Sequence, residues 1–387
     1  MQLNPPPNSL KRIVILGTYD LGKPRTRILI RGLKENDVDV IQCHHNVWGG
    51  IEDKSQVTGL WVKLTLAWKI LTAYPVLIFR YLQLPKHDAV LIGYLGLFDV
   101  LILWPFVRMR HAVLIWDVFL SLYNTVVEDR ELVGRYNPSG ILLWLMEWFA
   151  LRVVDLALMD TDSHANYLST MYRCKPNKVV SVLVGAEPEK FDLSSHRLEA
   201  LNSNIESKNI LFYGQFIPLH GIDTVVRAAK LTEDKEVQWL IIGKGQEANK
   251  IDALINELRP NNLRWIEWVE YDDLIKYLAE SHVALGIFGS TEKAKRVIPN
   301  KVYQILMAGR PLITADTPAV RELLTNNDNV CLVPAGSPHA LAEAICAFPK
   351  FNSLKHLDSS QGLVRNKITP IVIGANLVGQ INKVLKR

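Results

Sequence analysis

Short apolar, often β-branched runs alternate with helix-length segments along almost the whole chain, and this grammar restricts the fold more than any other feature. Candidate strands fall at Ile13–Leu16, Val38–Cys43, Ala89–Tyr94, Ala112–Trp116, Leu156–Met159 and Val179–Val184. A second series follows at Asn209–Tyr213, Trp239–Ile242, Leu263–Trp268, Ala284–Phe288, Leu312–Thr314 and Val330–Val333. Helices are expected between them: the first starts at Pro24 and stops before Asn36-Asp37, and later ones span Ile222–Lys230, Asp272–Glu280, Lys301–Ala308, Ala319–Leu324 and Pro338–Phe348. Parallel strands must be joined by crossovers, so the alternation predicts α/β units, each a doubly wound parallel sheet covered by helices on both faces.

Two such units are needed. The 387 residues exceed one ordinary domain and match two of roughly 150 to 200 residues. The expected division is residues 1–193, a polar linker at 194–208, a second Rossmann-like domain at 209–365, and a C-terminal helix, 366–387, returning to the first domain. The two domains are expected to face each other across a cleft. Basic and acidic residues balance in each part, 21 against 18 through residue 190 and 23 against 21 beyond it, so no nucleic-acid-binding module is expected. Cys43, Cys174, Cys331 and Cys346 show no metal-ligand spacing and suit a reduced, cytoplasmic chain. The N-terminal MQLNPPPNSL has no apolar run of signal-peptide type.

Two apolar segments bear on membranes. Ala89–Val107 is 19 residues with one charge, Asp99, long enough for a span. Its place in the series favours a strand, a Gly turn and a helix stopped near Pro105. Residues 60–84 set three cations among Trp, Tyr and Leu; that mix suits a helix lying on the inner face of an anionic bilayer, or one packed in a core.

In doubly wound sheets, ligands sit beyond the carboxyl ends of the strands. The loop after the first strand, GTYDLGKPR, offers Gly17, Gly22 and Arg25 before a helix N-terminus, which favours anions. It lacks the G-x-G-x-x-G spacing of a dinucleotide site, so NAD and FAD are not expected. In TDSHANYL, Ser163 reads as the N-cap of a helix and His164 as a bystander. The richer region begins at LFYGQFIPLHGIDTVVRAAK, where a strand ends in Gly214 and a loop with Gln215, His220 and Gly221 leads into an amphipathic helix. It continues through IIGKGQ, with Gly243 and Gly245, and WIEWVEYDDL, and ends in LGIFGSTEKAKRVIPNKVYQILMAGRPLITAD.

In this order, these segments resemble the retaining GT-B-fold glycosyltransferases of family four, densely in the C-terminal domain and loosely in the N-terminal one. The family's loop commonly carries an Arg and a Lys on the donor diphosphate; Gln215 and His220 stand in their places. Its paired glutamates are spaced Glu-x7-Glu, and here Arg296 and Gln304 occupy those positions, with Glu292 four residues earlier. Lys293, Lys295, Arg296 and Lys301 crowd the loop before the next helix, an alternative anion site. The resemblance implies a nucleoside diphosphate sugar donor bound by Gly214, Gln215, Gly243, Gly245, Val269, Glu270, Phe288, Gly289, Glu292, Arg296, Asn300 and Gln304. It implies catalytic roles for His220, Lys301 and Asp117, the last lying at the end of IWDVF near where the family often carries a functional His. It further implies transfer with retention to a saccharide or lipid-linked acceptor, with no metal and no cofactor. The departures at Gln215, Arg296 and Gln304 leave two alternatives open: a sugar-nucleotide epimerase or hydrolase, and a non-catalytic nucleotide-sugar-binding subunit.

Overall fold

The computed structural model describes residues 9–47, 60–191, 193, 207–327, 329–348 and 359–386. Among the described residues there are twelve strands, and each of the twelve expected runs forms one. The first six are β1 (Arg12–Gly17), β2 (Asp39–His44), β3 (Ala89–Ile92), β4 (Val113–Asp117), β5 (Leu156–Met159) and β6 (Val179–Ser181). They make one parallel sheet in the order β2-β1-β3-β4-β5-β6. The others are β7 (Lys208–Tyr213), β8 (Val237–Ile242), β9 (Leu263–Ile266), β10 (Val283–Leu285), β11 (Leu312–Ala315) and β12 (Val330–Val333), in the order β12-β11-β10-β7-β8-β9. Each sheet has a switch point where the winding reverses, between β1 and β3 in the first and between β7 and β10 in the second.

The chain divides into two compact units, Met1–Val184 with Pro370–Arg387, and Gly185–Thr369. In the first unit, α1 (Pro24–Glu35) begins and ends where the sequence predicts. It packs on one face of the sheet with the C-terminal helix α13 (Pro370–Leu385) around Ile28, Leu33, Ile373, Leu377 and Ile381. Gly32 and Gly374 form the crossing: a Cβ on Gly32 would stand 2.2 Å from the Pro370 carbonyl oxygen, and one on Gly374 2.2 Å from the Gly32 carbonyl. The opposite face carries α2 (Leu60–Leu82), α3 (Leu97–Met109), α4 (Pro138–Val153) and α5 (Asp162–Tyr172) over Leu77, Val100, Leu103 and Leu151.

Ala89–Val107 folds as strand, turn and helix, but Pro105 does not stop α3, which runs through it to Met109. Proline forfeits one backbone donor, and the buried flanking residues Leu103 and Val107 hold the turn against that loss. No helix among the described residues is long and apolar enough to cross a membrane. Residues 60–82 are helical as α2, and the side chains of Trp61 and Lys63 lie outside the described residues. Most of the expected linker, 194–206, also lies outside them.

In the second unit the helices are α6 (Ile222–Leu231), α7 (Ala248–Leu258), α8 (Tyr271–Glu280), α9 (Asn300–Met307), α10 (Pro318–Arg321), α11 (Pro338–Ala347) and α12 (Ser359–Lys367). α7 adds to those read from sequence; Ile251 and Leu254, three residues apart, bury its inner stripe. The core gathers Phe212, Phe216, Ile222, Val226, Trp239 and Phe288.

Candidate active site

In the second unit the switch point brings glycine turns together by direct backbone approach. β7 ends at Gly214 (φ 140°), and β8 runs out through Gly243 (φ 155°) and Gly245 (φ 153°). Those φ values suit glycine, and space leaves no alternative: a Cβ on Gly243 would lie 1.9 Å from the Gly214 carbonyl oxygen, and one on Gly245 2.8 Å from the Phe216 backbone. A one-turn 3-10 helix, Pro218–His220, then returns over the end of β10, where the Phe288 N–H donates to the His220 carbonyl at 3.0 Å. A Cβ on Gly221 would meet the Gly289 nitrogen at 2.5 Å, and one on Gly289 would meet the Leu219 carbonyl oxygen at 2.4 Å. Gly214, Gly243, His220, Phe288 and Gly289 therefore share one small space.

Two side chains flank the open face of Gly214. His220 Nδ1 donates to the Gln215 carbonyl at 2.5 Å, which leaves Nε2 without a hydrogen. Gln215 thus serves through its backbone while its side chain points to solvent. Burial, and then the neighbouring Lys301, hold the imidazole well below its ordinary pKa, so it is neutral across the physiological range. Lys301 lies in the first turn of α9, 5% exposed, and burial drives its amine well below the usual lysine value. Its Nζ has no hydrogen-bond partner and sits 3.5 Å from the centroid of the Phe212 ring. Asn300 Oδ1, one residue earlier, is also buried without a partner. The residue capping α9 is Pro299, whose side chain makes no capping bond; its carbonyl accepts from the Val302 N–H at 3.0 Å, so the helix start has no side-chain cap for the N–H groups before it.

A buried amine without a partner is costly, and this one stands beside the N-terminus of a helix, where anions are favoured. The geometry suits a phosphate. Desolvation disfavours the charged form of the Lys301 amine in the unliganded chain. The four-cation loop is corrected. Lys295 pairs with Glu292 at 2.6 Å, Arg296 Nε donates to the Glu292 carbonyl at 2.7 Å, and Lys293 is buried. The Lys301 Nζ lies 3.5 Å from where a Cβ on Gly214 would stand. Gln304, one turn on, accepts from the Tyr213 hydroxyl at 3.1 Å. Val269 is half-buried past the end of β9, and Glu270 is exposed at the N-cap of α8.

The first unit's switch point is built differently, and its own side chains fill it. A Cβ on Gly17 would stand 2.3 Å from Asp99 Oδ2. That carboxylate accepts from the Thr18 N–H at 2.8 Å and from the Tyr74 hydroxyl at 3.0 Å. Burial raises the Asp99 pKa to about 6, against the pull of the Thr18 and Tyr74 hydrogen bonds. Tyr19 closes the remaining space against Gly93. The anion expected at the Gly17 turn is thus the chain's own. Gly22 is a local turn residue whose N–H donates to Asp20 at 2.7 Å.

Asp117 and Arg25 also depart from expectation. Both are 1% exposed at the side chain and form an ion pair at 2.7 Å. Arg25 Nη1 donates further to the Val182 carbonyl at 2.8 Å, and its guanidinium lies over the Phe119 ring. Burial pushes the Asp117 carboxyl above its ordinary range, against the pull of Arg25. An acceptor-binding role needs an exposed group, and neither residue offers one; the pair ties α1 to the ends of β4 and β6. Sequence reading missed a neighbouring pair, His164 and Asp160, joined at 2.7 Å and buried, with His164 Nε2 unpartnered. The N-cap there is Thr161, which accepts from the His164 N–H, rather than Ser163. The i,i+4 Asp–His spacing was the signal available. Among the described residues, no group of three or more His, Cys, Asp or Glu side chains could hold a metal.

Residues 207–349 match the family model described as "Glycosyl transferases group 1". The chain is 22% identical over 173 residues to the amylovoran biosynthesis glycosyltransferase AmsK of Erwinia amylovora; the match spans 44% of this chain and 41% of that protein, less than half its length. Among solved structures, sucrose-phosphate synthase from Thermosynechococcus elongatus superposes with a TM-score of 0.64 at 14% identity, covering 97% of this chain and 95% of that one. HepE of Anabaena, solved in complex with UDP and glucose, superposes with a TM-score of 0.64 at 11% identity, covering 96% and 98%. Residues 207–349 thus carry a glycosyl transferases group 1 domain, within the two-unit parallel α/β architecture of GT-B proteins.

Proposed function

We propose that the chain is a glycosyltransferase whose nucleoside diphosphate sugar donor binds the Gly185–Thr369 unit, with its diphosphate against Gly214, Lys301 and the N-terminus of α9. The observation that carries this reading is the partnerless buried amine of Lys301 beside an uncapped helix start. HepE, similar in fold, is a protein solved with UDP. In the proposed reaction, the bond between the anomeric carbon and the diphosphate breaks, and an acceptor hydroxyl oxygen bonds to that carbon on the same face. The hydroxyl proton leaves with the diphosphate. Negative charge grows on the departing oxygen, where a reprotonated Lys301 and the α9 N–H groups stabilise it electrostatically. No metal is called for, since these donors occupy the place a cation would take. His220 Nε2, neutral and without a hydrogen, accepts rather than donates. The acceptor is a saccharide or lipid-linked hydroxyl, and the setting is the cytoplasmic side.

One observation favours a second reading, a nucleotide-sugar binder without turnover: the Glu292 carboxylate pairs with Lys295, and Arg296 stands where the resemblance places a glutamate and donates to the Glu292 carbonyl. Thermal-shift titration with UDP, GDP, ADP and dTDP sugars, followed by turnover assays on saccharide and lipid acceptors, separates the two. Lys301→Ala is expected to weaken donor binding about 10- to 150-fold, the loss of one charge-assisted bond. Unchanged affinity in that variant would move the diphosphate elsewhere.

A further inference from the structure

Helices α2, α3 and α4 lie side by side on one face of the first sheet, and their outward stripes are apolar. Phe98, Ile102 and Met109 recur on α3 at helical spacing, and Ile141, Leu145 and Trp148 do so on α4. On α2 the outward positions include Trp68, Val76 and Phe79, and both Trp68 (67%) and Phe79 (63%) are more than half exposed. A helix that covers a soluble core turns its polar side outward, and contiguous exposed apolar surface marks an interaction site. Here three neighbouring helices share the inversion.

The charges indicate what covers this face. The three helices carry two carboxylates, Asp99 and Glu147, and both are 1% exposed. Glu147 faces inward, accepting from Ser121 at 2.6 Å and Tyr172 at 2.7 Å. Cations are present on the outside: Lys69 and Arg80 on α2, and Arg152 on α4, whose guanidinium lies 4.8 Å over the Trp148 ring. Arg110, just past α3, is held by the carbonyls of Leu82, Leu84 and Pro85. Cations in a last turn also suit the helix dipole, but that effect does not remove acids from the rest of a surface. Beside the start of α4, a pocket of about 200 Å³ is lined by Val126, Val133, Leu142, Leu143 and Met146. We infer that the outer face of α2, α3 and α4 is a docking surface for an anionic lipid bilayer, with the aromatic and aliphatic side chains in the acyl boundary and the cations at the headgroups. The inference extends the function proposed above to a membrane partner and does not rest on sugar transfer.

The test uses the full chain with vesicles of phosphatidylcholine alone and of phosphatidylcholine with phosphatidylglycerol. Co-sedimentation is expected with the anionic vesicles and to weaken with salt, since surface charge attraction is screened. Leu142→Gln with Leu145→Gln and Phe149→Gln, all exposed on α4, is expected to lower partition at least about tenfold, because three exposed apolar side chains no longer enter the bilayer. Phe79→Gln with Ile102→Gln, on the other two helices, repeats the test should the first variant melt early. Lys69→Gln with Arg152→Gln is expected to erase the preference for anionic vesicles. Nucleotide affinity is expected to stay unchanged in all three, which separates this inference from the donor reading. Failure of the wild-type chain to bind anionic vesicles, or full binding by folded apolar variants, overturns it. So does a dimer in sedimentation that the apolar variants dissociate without any vesicle binding, which would make a second copy the occupant.

Discussion

At the scale of residues, two buried basic groups behave in opposite ways. Arg25 is buried with its counter-ion and the carbonyls of Met159 and Val182 to bond, whereas Lys301 is buried with no hydrogen-bond partner. For Lys301 the sign of the pH effect follows directly. Its folded-state pKa is depressed, so the unfolded chain binds the proton more readily and stability from this group is lost as pH falls below the unfolded value, near 10.4. A phosphate reverses the balance by favouring the ammonium, so nucleotide diphosphate binding is expected to take up a proton and to weaken as pH rises. Calorimetric titration in two buffers of different ionisation heat measures that uptake; identical heats in both would refute it. His220 titrates too low to add an imidazolium, so the effect of His220→Ala is expected to be flat from pH 6 to 8.5. Arg25→Leu is expected to cost roughly 3 to 5 kcal/mol in chemical denaturation, by stranding the Asp117 carboxylate. Adding Asp117→Leu should recover a substantial part, and no recovery would mean that the pair is not the cause. These residue-level facts were the least legible in sequence. Asp117 and Arg25 sit 92 positions apart, and nothing local shows that they bury one another.

At the scale of elements, the sequence carried most of the information. A parallel strand buried on both faces must be a short apolar run, so β1 to β12 were all visible before any tertiary contact was known. α1 opened at Pro24, where a missing N–H costs nothing, and closed at Asn36. α3 ran through Pro105 because packing on both sides outweighed one lost hydrogen bond. The α1–α13 crossing was not readable, since Gly32 and Gly374 look like ordinary helical glycines until two backbones meet there. Gly374→Ala is expected to destabilise the first unit by about 1 to 3 kcal/mol, the cost of forcing atoms into a close-packed contact. Thermal unfolding of that unit reads the loss, and an unchanged melting temperature would show that the helices separate freely.

For the whole molecule, two doubly wound units of six parallel strands, with different strand orders, also differ at their switch points. The first is closed by Asp99 and Tyr19, and the second leaves Lys301 beside an uncapped helix start. Calorimetry is therefore expected to show that a bound nucleoside diphosphate raises the unfolding transition of the Gly185–Thr369 unit by mass action. A rise confined to the other transition would reassign the donor to the first unit. By itself the sequence determined the α/β class, the strands and the switch-point glycines Gly214, Gly243 and Gly245, because periodicity and backbone freedom are local properties of a chain. Only the tertiary structure decided which charges were silenced and which were left without partners. Desolvation and pairing depend on neighbours far apart in sequence: Arg25 with Asp117, Thr18 with Asp99, Lys301 with Phe212. The same holds for the apolar face of α2, α3 and α4: the sequence left residues 60–84 between a bilayer surface and a core, and the outward stripes are decided only by the side of the sheet on which each helix packs.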